Sequence, residues 1–155
     1  MGFAVSGLSA EPYLHLYGLS DEALGEQGVK RYVADETPGF PDRIEMRDAK
    51  LGETLLLLNH VSPPENTPYR ASHAIFILEG ARDTYVGVNE VPPVMLTRLL
   101  SLRAFDAAGM MVDADLAKGH EIAAAIERFF ENSQIAYIHA HNALRGCYSG
   151  RIDRG

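Results

Sequence analysis

The chain has 155 residues, 46% of them hydrophobic and 23% charged, the balance of a one-domain globular protein. Lys and Arg number 14 against 21 Asp and Glu, a net charge of -7, which excludes the basic footprint that nucleic acid or an anionic membrane surface requires. The one cysteine, Cys147, has no partner for an internal disulfide, and no apolar run approaches the ~20 residues of a membrane span.

The start of the chain lacks the basic and long apolar stretches of a secretory signal, so the cytoplasm is the expected setting. Gly2 with Ser6 matches a short acylation pattern, while Phe3, Val5 and Leu8 read equally well as one edge of a first strand. Ser20 before Asp21 and Glu22 is an N-cap opening a short helix that Gly28 stops. Residues 31–34 form a strand, and the Pro- and Gly-rich stretch 37–41 a turn. The apolar run 54–59 suits a strand covered on both faces. A loop over 62–72 holds Pro63, Pro64 and Pro68 and leads into a second buried strand over 74–78. Pro92-Pro93 opens either a helical turn or an extended lead-in, and 99–105 is another strand. A turn at Gly109 leads into 110–113.

From Asp115 to about Asn132 the apolar residues Ile122, Ala125, Ile126, Phe129 and Phe130 recur at spacings of three and four, which predicts one long amphipathic helix. Residues 134–151 read as a hairpin. The expected fold class is therefore α+β: one domain over 1–155, a mostly antiparallel sheet with the helix packed on one face.

The hairpin holds the densest chemistry. Alternation on a strand puts Tyr137, His139 and His141 on one face. A five-residue loop over 142–146 would set His141 opposite Cys147, His139 opposite Ser149 and Tyr137 opposite Arg151. Ile138, Ala140, Tyr148 and Ile152 would then form the core face. Three readings compete for the polar face. It is a solvent-facing or interface-facing sheet surface with hydrogen-bonded histidines. It is a small-ligand pocket in which Tyr137, His139, His141 and Arg145 or Arg151 meet an anionic group. Or it is a zinc-type metal site of His139, His141 and Cys147, although four-ligand spacing is lacking. Cys147 reads either as a small buried hydrophobe or as a nucleophile activated by a neighbouring histidine.

Tyr69 and Arg70 end the Pro-rich loop, where binding residues concentrate, and covering a pocket would explain so long a loop. The mixed-charge segment Asp42, Arg43, Glu45, Arg47 and Asp48 reads as a solvated strand edge. His15, His60 and His120 read as structural. No Gly-rich phosphate loop, Gly-x-Ser-x-Gly elbow or His-Glu-x-x-His helix is present.

Several stretches together carry a family likeness. These are residues 47–53 before the leucine run, Pro68-Tyr69-Arg70-Ala71-Ser72, Leu102-Arg103-Ala104-Phe105-Asp106, and Ala136-Tyr137-Ile138-His139 with Gly146-Cys147-Tyr148. In order and spacing the chain resembles the bacterial DUF1203 family, from about Phe3 to Ile152. The resemblance implies a single-domain cytosolic bacterial protein without an established activity. It also implies cysteines after the proline at Pro41 and a few residues on, where this chain has Asp42 and Glu45. Function is thus expected to be small-ligand binding, with or without catalysis, at the hairpin face, the alternatives being a homodimer formed through that face or metal binding.

Overall fold

The computed structural model describes residues 2–155. In these residues nine strands form two antiparallel sheets. The larger has the order β5 (Val86–Val88), β1 (Phe3–Ser6), β9 (Tyr148–Arg154), β8 (Tyr137–Asn142), β6 (Leu100–Phe105) and β7 (Met111–Ala117). The smaller runs β2 (Lys30–Val33), β3 (Thr54–Val61), β4 (Ser72–Leu78). Helices are short: α1 (Asp21–Glu26), α2 (Pro93–Leu96), α3 (Glu121–Phe130) and a 3-10 helix over Glu11–Leu16. None of them is long and apolar enough to cross a membrane.

The α+β expectation, with a long helix over 115–132, is overturned: the fold is mostly β, and its longest helix has 10 residues. The alternation in Val112-Asp113-Ala114-Asp115-Leu116 has a period of two and continues the strand through Ala117. Gly119, at φ +57°, then turns the chain, and the helix starts two residues later. The stripe itself was legible: Ile122, Ala125, Ile126, Phe129 and Phe130 are all buried. Each such side chain contributes ~1.5–3 kcal/mol of burial, apart from the smaller Ala125.

Two apolar cores result. In one, α3, Val94 and Met95 cover the face of the larger sheet formed by Leu100, Leu102, Ala104, Ile138, Ala140 and Ile152. In the other, Leu55, Leu56, Leu58, Ile75 and Ile77 of the smaller sheet pack with Leu24, Ile44 and Tyr148. Ser20 caps α1 as expected, its Oγ accepting from the Ala23 amide at 3.1 Å. The segment 41–48 is not a solvated edge. Asp42 and Arg43 are buried, and the Asp42 carboxylate accepts from the Leu78 and Glu45 amides at 2.7 and 2.5 Å. The Ile44 carbonyl accepts from the Tyr85 amide. This stretch therefore ties the smaller sheet to the segment leading into β5.

A histidine seam between the sheets

Alternation along β8 turns Ile138 and Ala140 toward α3 and leaves Tyr137, His139 and His141 on the opposite face. Neighbouring strands complete three cross-strand rows. Tyr137 lies between Phe105 and Asp153, His139 between Arg103 and Arg151, and His141 between Ser101 and Tyr148. The hairpin is where expected but its register is not. A bulge between Ala140 and His141 places Tyr148, not Cys147, opposite His141, and Arg151, not Ser149, opposite His139. Tyr148 consequently joins the histidine face instead of the aliphatic one. Its ring stands 5.1 Å from that of His139 and 5.9 Å from that of His141.

The smaller sheet closes over this face. His60 and His73 are register partners on β3 and β4. The His73 ring lies 5.0 Å from His141, and the His60 ring 4.9 Å from Tyr148. The Pro-rich loop after β3 covers the other end. Tyr137 Oη donates to Glu65 Oε1 at 3.2 Å, and Tyr69 packs edge-to-face, with ring centroids 6.3 Å apart, on Phe105, which itself stacks on Tyr137. Thr67 Oγ1 donates to the Gly109 carbonyl at 3.3 Å, fastening the loop to the β6–β7 turn.

The result is burial: His139 is 3% exposed and His141 1%. Burial pushes the His139 pKa down to about 3, helped by His141, Arg151, His60 and Arg103. His141 is lowered to about 4 by burial and by Arg103, His73 and His60, against the opposing hydrogen bond between its Nδ1 and the Gly146 carbonyl at 2.9 Å. His60 and His73 are lowered for the same first reason. All four imidazoles are neutral at pH 7. They can donate or accept a hydrogen bond but supply no charge. Tyr137 is raised to about 12 by burial and the nearby Glu65 carboxylate, so it stays a phenol.

The expected site residues separate into two groups. Tyr137, His139, His141 and Tyr69 converge. Arg70 and Arg145 are exposed and make no side-chain hydrogen bond among the described residues. Cys147 lies beyond the bulge, half-buried, with its Sγ accepting from Arg43 Nη2 at 3.2 Å. Arg43 also donates to the Tyr148 and Pro41 carbonyls at 2.8 and 2.6 Å, so it acts as a strut between segments. Among the described residues no group of three His, Cys, Asp or Glu side chains is placed to hold a metal ion, and the set His139, His141, Cys147 is not brought together. Sequence reasoning missed Arg103, His73 and the role of His60. The one available signal was a charge, Arg103, set between Leu102 and Ala104 in a buried strand.

Two open surface hollows, of about 400 and 430 Å³, lie away from the histidines. One is lined by Arg98, Lys118 and His120, the other by Glu45, Glu53 and Glu79. In the second, Arg47 engages Glu53 at 2.8 and 3.0 Å and Arg31 engages Glu79 at 2.8 Å, which satisfies those carboxylates within the protein.

No curated protein and no solved structure matches the chain. A family model does match, over residues 39–154, which takes in the loop, Arg103 and the whole β8–β9 hairpin. The chain that builds this seam therefore belongs to the DUF1203 family, proteins of unknown function.

Proposed function

We propose that the protein binds a small polar ligand in the seam between its sheets, with loop 62–71 as the cover. One observation carries this reading. Among the described residues five buried side-chain atoms have no hydrogen-bond partner, and four of them belong to the cover and the two facing strands: Ser62 Oγ and Glu65 Oε2 of the loop, His73 Nδ1 of β4 and His139 Nδ1 of β8; the fifth, Asn142 Oδ1, ends β8 on the side of Ala140. Each such atom costs ~1–3 kcal/mol, and native proteins keep so many together where something else completes them. Tyr137, His139 and His141 form the floor and Tyr69 part of the cover. Entry requires the loop to lift, because His139 and His141 are closed off from solvent.

A cytosolic setting is supported by the free thiol of Cys147. The net charge of -7 supports a small-molecule partner over nucleic acid or an anionic membrane. Burial of His139 and His141 against the chain's own second sheet counts against a homodimer through that face. The test is a melting-temperature screen against a metabolite library, repeated on His139→Leu and on His141→Leu, with circular dichroism confirming that each variant folds. A stabilising compound should lose its effect in both variants. A shift that survives both places binding elsewhere and removes the proposal.

A further inference from the structure

We infer that the ligand of the seam carries an oxyanion, a carboxylate or a phosphate, seated on Arg103 beside His139. This rests on the seam being a binding site and specifies what it takes. Arg103, His139 and Arg151 stand in one row across β6, β8 and β9, where directly opposed Cβ atoms are ~5 Å apart. The two arginines in that row are in different states. Arg151 is engaged, its Nε donating to both Asp153 oxygens at 3.0 and 3.1 Å and its guanidinium lying 4.2 Å over the Tyr137 ring. Among the described residues Arg103 donates only from Nε, to Ser101 Oγ at 3.2 Å.

The other half-buried arginines, Arg31, Arg47, Arg98 and Arg151, each pair with a carboxylate. Arg103 alone among them has no such partner within the described residues, in a chain with seven more acids than bases. Its terminal nitrogens form a planar fork suited to two oxygens of one anion. The neighbouring His139, neutral and with Nδ1 unpartnered, offers a further hydrogen bond without adding charge. Of the nearby carboxylates, Asp153 is engaged by Arg151, and Glu65, one row away, accepts from the Tyr137 hydroxyl through Oε1 and makes no ion pair with Arg103, its Oε2 staying without a partner among the described residues. The rings of Phe105, Tyr69 and Tyr137 flank the row and suit an apolar or aromatic body on the ligand.

The test is a titration of the folded protein with inorganic phosphate and, separately, with benzoate, at constant ionic strength, following the His139 ring resonances and the melting temperature. The expected result is a saturable shift with at least one probe. Phosphate alone points to a phosphoryl ligand and benzoate alone to a carboxylate. Arg103→Met should weaken the effective probe roughly tenfold or more, and Arg103→Lys, which keeps the charge but loses the fork, by less. If Arg103→Met does not fold, Arg103→Lys carries the comparison, with a change of the exposed Arg82, Arg82→Gln, as the control that should bind like the wild type. Equal affinity in wild type and Arg103 variants overturns the assignment. A neutral screening hit that acts through His139, with neither anion saturating, overturns the oxyanion and leaves the seam standing. No response to any probe or library compound overturns both.

Discussion

The two faces of the larger sheet are built by alternate residues of the same strands, yet they obey different rules. On the α3 side, Leu102, Ala104, Ile138, Ala140 and Ile152 are each fully buried and carry no polar side-chain atom. On the other side, Ser101, Arg103, Phe105, Tyr137, His139 and Arg151 share one face, Phe105 and Tyr137 meet the loop, and four of the five unpartnered buried atoms, all but Asn142 Oδ1, lie on this face or on the sheet and loop that cover it. Burial alone does not separate them, since His139 is nearly as enclosed as Ile138. The difference lies in what burial achieves. On the aliphatic face it removes hydrocarbon from water, while on the histidine face it desolvates polar groups without fully repairing them. The first face stabilises; the second holds unused hydrogen-bonding capacity at a stability cost, as binding sites do.

That contrast can be broken by mutation. The largest effect should come from the aliphatic face: Ile138→Ala should lose ~2–5 kcal/mol in denaturant unfolding, because a fully buried side chain leaves a cavity. A loss below ~1 kcal/mol would mean that this face is not the principal core. Next is the strut that joins the regions. Arg43→Met should cost ~2–3 kcal/mol, because the Pro41 and Tyr148 carbonyls lose their donor. A stability equal to wild type in urea would show that Arg43 is not structural.

The third prediction concerns pH. The His139 pKa is about 3 in the fold against 6.5 in the unfolded chain, so between those values the unfolded state binds a proton that the native state refuses. Stability is therefore unaffected above pH 7 and falls as pH drops from ~6.5 toward ~3, by up to ~1.4 kcal/mol per pH unit from this residue. His141 adds its own fall over a window ending at about 4. His139→Leu should flatten the slope and, at pH 7.5, change stability by less than ~1 kcal/mol, since it also removes an unpartnered nitrogen. A loss of several kcal/mol there would make the histidine face an ordinary core. The smallest effect belongs to the cover: Tyr137→Phe removes the bond to Glu65 and should cost ~1 kcal/mol, with faster amide hydrogen exchange confined to residues 62–71. Unchanged exchange would show that this bond does not hold the loop.

How far these features could be read in advance differs from element to element. The leucine run, the 74–78 and 99–105 strands, the Ser20 cap and the apolar stripe of α3 each show in a local pattern, and each is present. The helix start failed because the Ala, Asp and Leu of β7 suit either state, and only pairing with β6 settled them as strand. The shared face of Tyr137, His139 and His141 is legible, because alternation needs only the strand itself. Their partners across the hairpin are not, because a bulge adds a residue that no local signal marks. Arg70 and Arg145 looked equivalent to Arg103 as cations near the site, and only the register shows which one lies beside His139.

The sequence by itself determined the chemistry available: a β8 face of tyrosine and histidines, an acidic surface, one cysteine, and a proline-rich loop long enough to cover something. Local periodicity and composition suffice for these, since they depend on neighbours a few residues apart. The tertiary structure alone decided that the face is buried, that His60 and His73 join it from another sheet, that Cys147 leaves it for Arg43, and that Arg103 has no carboxylate partner among the described residues. Those outcomes depend on contacts between residues tens of positions apart, and it is desolvation in that packed environment that makes the histidines neutral.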